Sequence, residues 1–121
     1  MNRSKLIFLP TFKDERGSLT VLEKKLDFPI KRIYWIYGTH KQKRGGHRHK
    51  ETKQALISLY GQVSVQIVNK DGNFSYLLDN PTKCLILEPD DWHDMEFNKN
   101  AVLLIAASHF FDENDYIDSI S

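Results

Sequence analysis

Cysteine is nearly absent: Cys84 is the one thiol in 121 residues. An internal disulfide is therefore excluded, and a reducing compartment fits. Cys84 stands in the apolar run "CLILE", where a buried structural thiol is expected rather than a nucleophile. Long apolar runs are missing as well. Nothing approaches the roughly 20 residues that a membrane-spanning helix needs, and the basic start "MNRSKLIFLP" leads into too short an apolar stretch for a signal peptide. Net charge is only +1, so no overall field draws the chain to nucleic acid or membrane, and any electrostatic role has to be local. Repeats, low-complexity segments and linkers are lacking, and helical periodicity gives way almost everywhere to alternation. These absences leave a cytoplasmic chain folded as one domain over residues 1–121.

What the sequence does contain is strand pattern. In "QVSVQIVN", Val63, Val65 and Ile67 point one way and Gln62, Ser64 and Gln66 the other, the mark of a half-buried strand. "KDGN" follows, with Asp71-Gly72 as the expected hairpin turn, and "FSYLLD" returns as the partner strand. "SLTVLE", "KRIYWIYG", "QALISLY", "CLILE" and "AVLLIAA" are further strands, separated by turn signals such as Asn80-Pro81 and Pro89-Asp90-Asp91. The end of the chain, "FFDENDYIDSIS", reads as a short helix or an ordered tail. Many short strands at near-regular spacing predict an all-β fold, an antiparallel jelly-roll barrel or sandwich with an interior pocket.

Chemistry concentrates in "KRGGHRHK", Lys43 to Lys50. His47 and His49 are two apart at the expected start of a strand running to Tyr60, so period two puts both imidazoles on one face and Arg48 on the other. With Gln54 and Gly61 further along, this frame resembles the first motif of the cupin superfamily, and "PDDWHDMEFN" with His93 echoes the second. Metal-binding cupins use a Glu of the first motif as a ligand. Here Gln54 takes that place, and a neutral amide is a poor substitute on a transition metal. Three histidines alone still make a zinc-type ligand set. Without a metal, paired imidazoles are suited to proton transfer near neutral pH, and their proximity disfavours double protonation.

The neighbouring cations divide. Lys41 and Lys43 read as solvated loop residues, whereas Arg44 abuts Gly45-Gly46, where backbone approaches a ligand closely and a guanidinium can hold phosphate oxygens in pairs. Arg16, in "DERGS", is a second candidate for a diphosphate. No basic face of the extent nucleic acid requires is present. In "YWIYG", Trp35 and Tyr37 share one face and Tyr34 the other, so one set lines the pocket, and Trp92 beside His93 is a further aromatic candidate.

Taken together, "RIYWIYG", "KRGGHRHKETKQALISLYGQVSVQI", "EPDDWHDMEF" and "ASHFFDENDYI" resemble the sugar 3,4-ketoisomerase family (WxcM-like proteins) over nearly the whole chain. The resemblance implies a jelly-roll homodimer that acts on a dTDP-linked 4-keto-6-deoxyhexose without metal or other cofactor. It implies, too, that a sugar aminotransferase acts downstream. It places the catalytic histidine pair at His47 and His49 and a phosphate-contacting arginine at Arg44. On that footing His49 is expected as the main carbon base, His47 as its assistant and Tyr37 as the group polarising a sugar oxygen. Gln54, His93, Tyr34, Trp35 and Trp92 are expected at the substrate. A dTDP-sugar 3,5-epimerase, a metal-dependent cupin enzyme and a non-catalytic sugar-binding cupin are the alternatives.

Overall fold

The structure, a computed structural model, describes residues 4–39 and 42–120. Ten strands form among the described residues: β1 (Lys5–Phe8), β2 (Thr11–Asp14), β3 (Gly17–Thr20), β4 (Arg32–Ile36), β5 (Lys43–His49), β6 (Gln54–Asn69), β7 (Gly72–Leu78), β8 (Lys83–Leu87), β9 (Trp92–Ala107) and β10 (Tyr116–Ile117). Pairing is antiparallel throughout. Two strands, β6 and β9, are long enough to run through both layers. They pair along their length with register shifts between Ser58 and Gln62, at Gly61 (φ +72°), opposite the left-handed Lys99 and Asn100. On one side of this bend lie β1, β8, the first half of β6, the second half of β9, and β4. On the other lie β7, the second half of β6, the first half of β9, β5 and β10. This is the expected jelly roll.

The two layers differ in sequence because they differ in burial. Between them sits the main core, with Leu56, Val63, Val65, Ile67, Leu103, Ile105 and Phe97. The second layer turns its outer face to solvent, so Gln62, Ser64 and Gln66 alternate with the buried Val63, Val65 and Ile67. The first layer is covered on its outer face by Leu22, Leu26 and Phe28, which pack on Ala55, Ile57, Cys84, Ile86 and Ala106. Buried on both faces, its strands read as unbroken apolar runs such as "CLIL". Burial pushes the Cys84 thiol up to about 12, which makes it an inert packing group, as expected.

Three expectations move. The hairpin loop is Lys70-Asp71, one place before the expected Asp71-Gly72, because Asn69 pairs with Gly72 and the Asn69 side chain accepts from the Asp71 N–H at 2.8 Å. "QALISLY" and "QVSVQIVN" are halves of one bent strand. His47 and His49 end a strand of their own, β5, rather than starting the one that reaches Tyr60. Lys41 lies outside the described residues. No helix among the described residues is long and apolar enough to cross a membrane.

Candidate active site

The site is made by a bulge. In β5, Arg44 pairs with Met95 and Gly45 with Asp94, yet His47 pairs with His93, the next residue of β9. One residue of β5 is therefore extra, and Gly45 (φ +90°) and Gly46 (φ +77°) supply the backbone for it. Arg44 and His47 are three apart and would otherwise face opposite sides of the sheet. The bulge turns both inward with Met95 and His93. It also explains the glycines, read from the sequence as room for a ligand: a Cβ on Gly45 would stand 3.0 Å from the His93 carbonyl oxygen.

A cavity of about 180 Å³ opens here between the layers. One wall carries Tyr34, Ile36, Gln54, Leu56 and Ile105, the other Arg44, His47, His93 and Met95, and Tyr116 of β10 closes the end. Each of the three histidines offers a ring nitrogen, all within 4.8 Å of one another. Two of the rings have placed partners: Nδ1 of His93 lies 3.0 Å from the Asp91 carbonyl, and Nδ1 of His49 lies 2.8 Å from Oδ2 of Asp115. Tyr116 packs over both His47 and His49, with ring centroids 4.8 and 4.5 Å away.

Burial governs the charge state. His47 is held below its ordinary value by burial and by neighbouring His49. Burial likewise lowers His49, against the opposing pull of Asp115. His93, 2% exposed, is pushed down to about 4. At neutral pH the cluster is a set of neutral proton acceptors. Burial, with Tyr116 adding to it, pushes Tyr34 up to about 12, so its hydroxyl stays protonated. That hydroxyl accepts from the Gln54 amide at 2.8 Å, which leaves its own hydrogen free to donate into the cavity. The depressed His93 has a thermodynamic consequence. Its neutral form favours folding above the unfolded value of about 6.5, and that contribution is lost as pH falls toward 4. Chemical denaturation across this window should show His93→Asn losing less stability than the wild type, by on the order of 3 kcal/mol.

Of the residues expected at the site, Arg44, His47, Gln54, His93 and Tyr34 meet at the cavity. His49 is 3% exposed and stands behind His47, with Nε2 buried. It is not among the side chains that line the cavity, although its ring nitrogen lies within 4.8 Å of those of His47 and His93. Trp35 and Tyr37 are corrected: Trp35 lies on the outer side of β4 and Tyr37 follows the strand's end, 58% and 68% exposed, because Tyr34 and Ile36 take the inward face. Trp92, next to the inward His93, faces away and donates Nε1–H to the Asp118 carbonyl at 3.1 Å. Arg16 sits at the tip of the β2–β3 hairpin, bound to Asp14 at 2.6 Å, and does not line this cavity. Missed from the sequence were Asp115, Thr52 and Tyr116. The tail "DENDYI" was the available signal, since it offered acids and a tyrosine to a chain end with strand character.

The three histidines form a ligand set able to hold a transition metal. The amide of Gln54, tied to Tyr34 across the cavity, adds no anionic ligand.

The sequence model of the FdtA family, described as WxcM-like, C-terminal, matches residues 2–121. The chain belongs to this family. It is 38% identical over 120 residues to a TDP-4-oxo-6-deoxy-alpha-D-glucose-3,4-oxoisomerase of Aneurinibacillus thermoaerophilus, covering 94% of this chain and 85% of that one. A 3,4-ketoisomerase from Helicobacter canadensis superposes with a TM-score of 0.93 at 36% identity, over 98% of this WxcM-like chain and 92% of that one. A His-to-Asn variant of the Thermoanaerobacterium thermosaccharolyticum 3,4-ketoisomerase in complex with TDP-4-keto-6-deoxyglucose superposes with a TM-score of 0.91. It is 36% identical, and the match covers 98% of this chain and 89% of that one.

Proposed function

We infer that this chain is a nucleotide-sugar 3,4-ketoisomerase converting TDP-4-keto-6-deoxyglucose to its 3-keto isomer. The observation that carries the reading is the cluster of neutral imidazoles on a cavity wall facing the protonated Tyr34 hydroxyl, in a chain this similar to such enzymes. His47, on the wall, takes the proton from C3 while Tyr34 donates to the C4 oxygen, giving an enediol. Tyr34 then takes back a proton from the C3 hydroxyl, and the His47 imidazolium delivers its proton to C4, so both groups return to their starting states. One carbonyl is made and one consumed, so no oxidant is needed. A positioned base of this kind contributes about 10²- to 10⁴-fold.

Arg44, exposed at the cavity rim, is assigned to the diphosphate. Arg44→Ala should raise KM about tenfold or more with kcat little changed, as loss of uniform binding requires; an unchanged KM removes the assignment. The chain is proposed to act in the cytoplasm as one domain, as a homodimer, upstream of a sugar aminotransferase. Exposed Phe12 and Leu19 on the β2–β3 hairpin, Ile33 and Trp35 along β4, and Tyr37 just after it support pairing of two copies. Arg16 would serve a diphosphate only where a second copy brings it to a cavity.

The reaction is proposed to need no metal. Protein dialysed against a strong chelator should convert the sugar at the untreated rate, followed by proton NMR. Loss of turnover restored by a transition metal would favour the metal-dependent alternative.

A further inference from the structure

Asp115 lies outside the cavity, on a single 3₁₀ turn (Glu113–Asp115) that the side chain of Asp112 caps by accepting from the Asn114 N–H at 2.9 Å. The tail that carries it is fastened at several points. Tyr116 and Ile117 pair with His49 and Arg48, the Lys50 N–H donates to the Asp115 carbonyl at 2.9 Å, and Arg48 Nε donates to the Ser119 carbonyl at 3.0 Å. Its carboxylate has three donors around it. Oδ1 accepts from the Glu51 N–H at 2.8 Å. Oδ2 accepts from the Thr52 hydroxyl at 2.6 Å and faces Nδ1 of His49 at 2.8 Å. Burial raises the Asp115 carboxyl, but these hydrogen bonds outweigh it and hold the group below the ordinary carboxylate range.

An ionised carboxylate only accepts, so the proton of His49 sits on Nδ1. Nε2 is then a bare lone pair. It is buried and has no hydrogen-bond partner among the described residues, a costly arrangement for a group that serves packing alone. It shares its space with the ring nitrogens of His47 and His93. We propose that Asp115 is a positioning residue that fixes the tautomer and orientation of His49, keeping Nε2 as the proton-accepting face behind His47. The inference rests on the proposed isomerase reading for its kinetic consequence, and on hydrogen-bond geometry alone for the tautomer. It gives the C-terminal tail a task in the reaction, since among the described residues the hydrogen bond to the His49 ring comes from the tail.

Asp115→Asn tests it with nearly the same shape. The Glu51 N–H is a fixed backbone donor, so the amide oxygen must take the Oδ1 place and the amide NH2 must face His49. Thr52 can turn its hydroxyl to accept, but His49 can accept only by moving its proton to Nε2. Long-range ¹H–¹⁵N correlation NMR on ¹⁵N-histidine-labelled protein, assigned against His49→Gln, reads the tautomer directly. The wild type should show His49 protonated on Nδ1 and Asp115→Asn should show it protonated on Nε2. In the same variant kcat should fall about 10²- to 10⁴-fold with KM little changed, the scale of a misplaced base or wrong tautomer. A wild-type His49 protonated on Nε2, a tautomer unchanged in the variant, or a variant with wild-type kcat would each overturn the proposal. Should the variant fail to fold, the wild-type spectrum still decides it. Absence of any turnover in the wild type would defeat the functional reading, while the tautomer result would stand on its own.

Discussion

His47→Asn should reduce kcat by about 10³-fold or more while TDP-sugar binding persists. The substitution keeps a polar side chain of similar reach but removes the one imidazole of the pair that lines the cavity, and with it the group proposed to take the carbon-bound proton. Loss of a positioned base is worth about 10²- to 10⁴-fold, and no other group on the wall matches it. His93 is held too acidic by burial to take a proton readily, and Tyr34 is held protonated. His49→Asn should come close in effect, because that ring is proposed to act on the sugar through its neighbour. Because the two rings act as a unit, with centroids 5.2 Å apart, the double variant should be scarcely slower than the worse single one. Steady-state kinetics on the four proteins checks this. Additive losses would mean that the histidines act independently.

Gly61→Ala should cost about 4 kcal/mol or more, a large part of the stability of a small domain. The added Cβ would meet the Lys99 carbonyl oxygen at 2.7 Å, the Asn98 carbonyl oxygen at 2.8 Å and the Ala101 Cα at 2.8 Å. All three are backbone atoms of the bend where β9 passes between layers, so no side chain can step aside. The backbone at φ +72° adds its own penalty for any residue with a Cβ. Thermal unfolding should show Tm lowered by about 15 °C or more, or the protein should collect in the insoluble fraction. Gly38→Ala is the matched comparison. Its φ is nearly the same, at +76°, but its Cβ would meet nothing within 4 Å, so it should cost only about 1 to 2 kcal/mol. Equal effects at the two glycines would show that close approach at the bend is not what Gly61 provides.

These two positions also mark what the sequence made legible. Alternation in "QVSVQIVN" revealed its inward face because that layer is solvated outside, and the His-x-His pair with His93 pointed to the cavity because pairing across an antiparallel sheet preserves the face. A bulge leaves no trace in a period-two pattern. Gly45-Gly46 was therefore read as room for a ligand, and the alignment of Arg44 with His47, an odd number of residues apart, had no sequence rule behind it. The choice between Tyr34 and Tyr37 turned on which face of β4 meets the core. An aromatic strand that exposes Trp35 while burying the edge of Tyr34 gives that no signature. Asp115 was hidden for a different reason: its contacts with His49, Glu51 and Thr52 span more than 60 residues of chain, and only the docked tail creates them.

The central claim, proton transfer between C3 and C4 in the histidine-lined cavity, is tested most directly in heavy water. TDP-4-keto-6-deoxyglucose incubated with the wild-type protein and followed by ¹H and ¹³C NMR should give the 3-keto isomer, with deuterium at C4 where the imidazolium proton exchanges with solvent, deuterium at C3 confined to recovered substrate, and the C5 hydrogen retained. Exchange or inversion at C5 would contradict the account and point to a 3,5-epimerase, and an unchanged bound sugar would contradict it in favour of a binding protein.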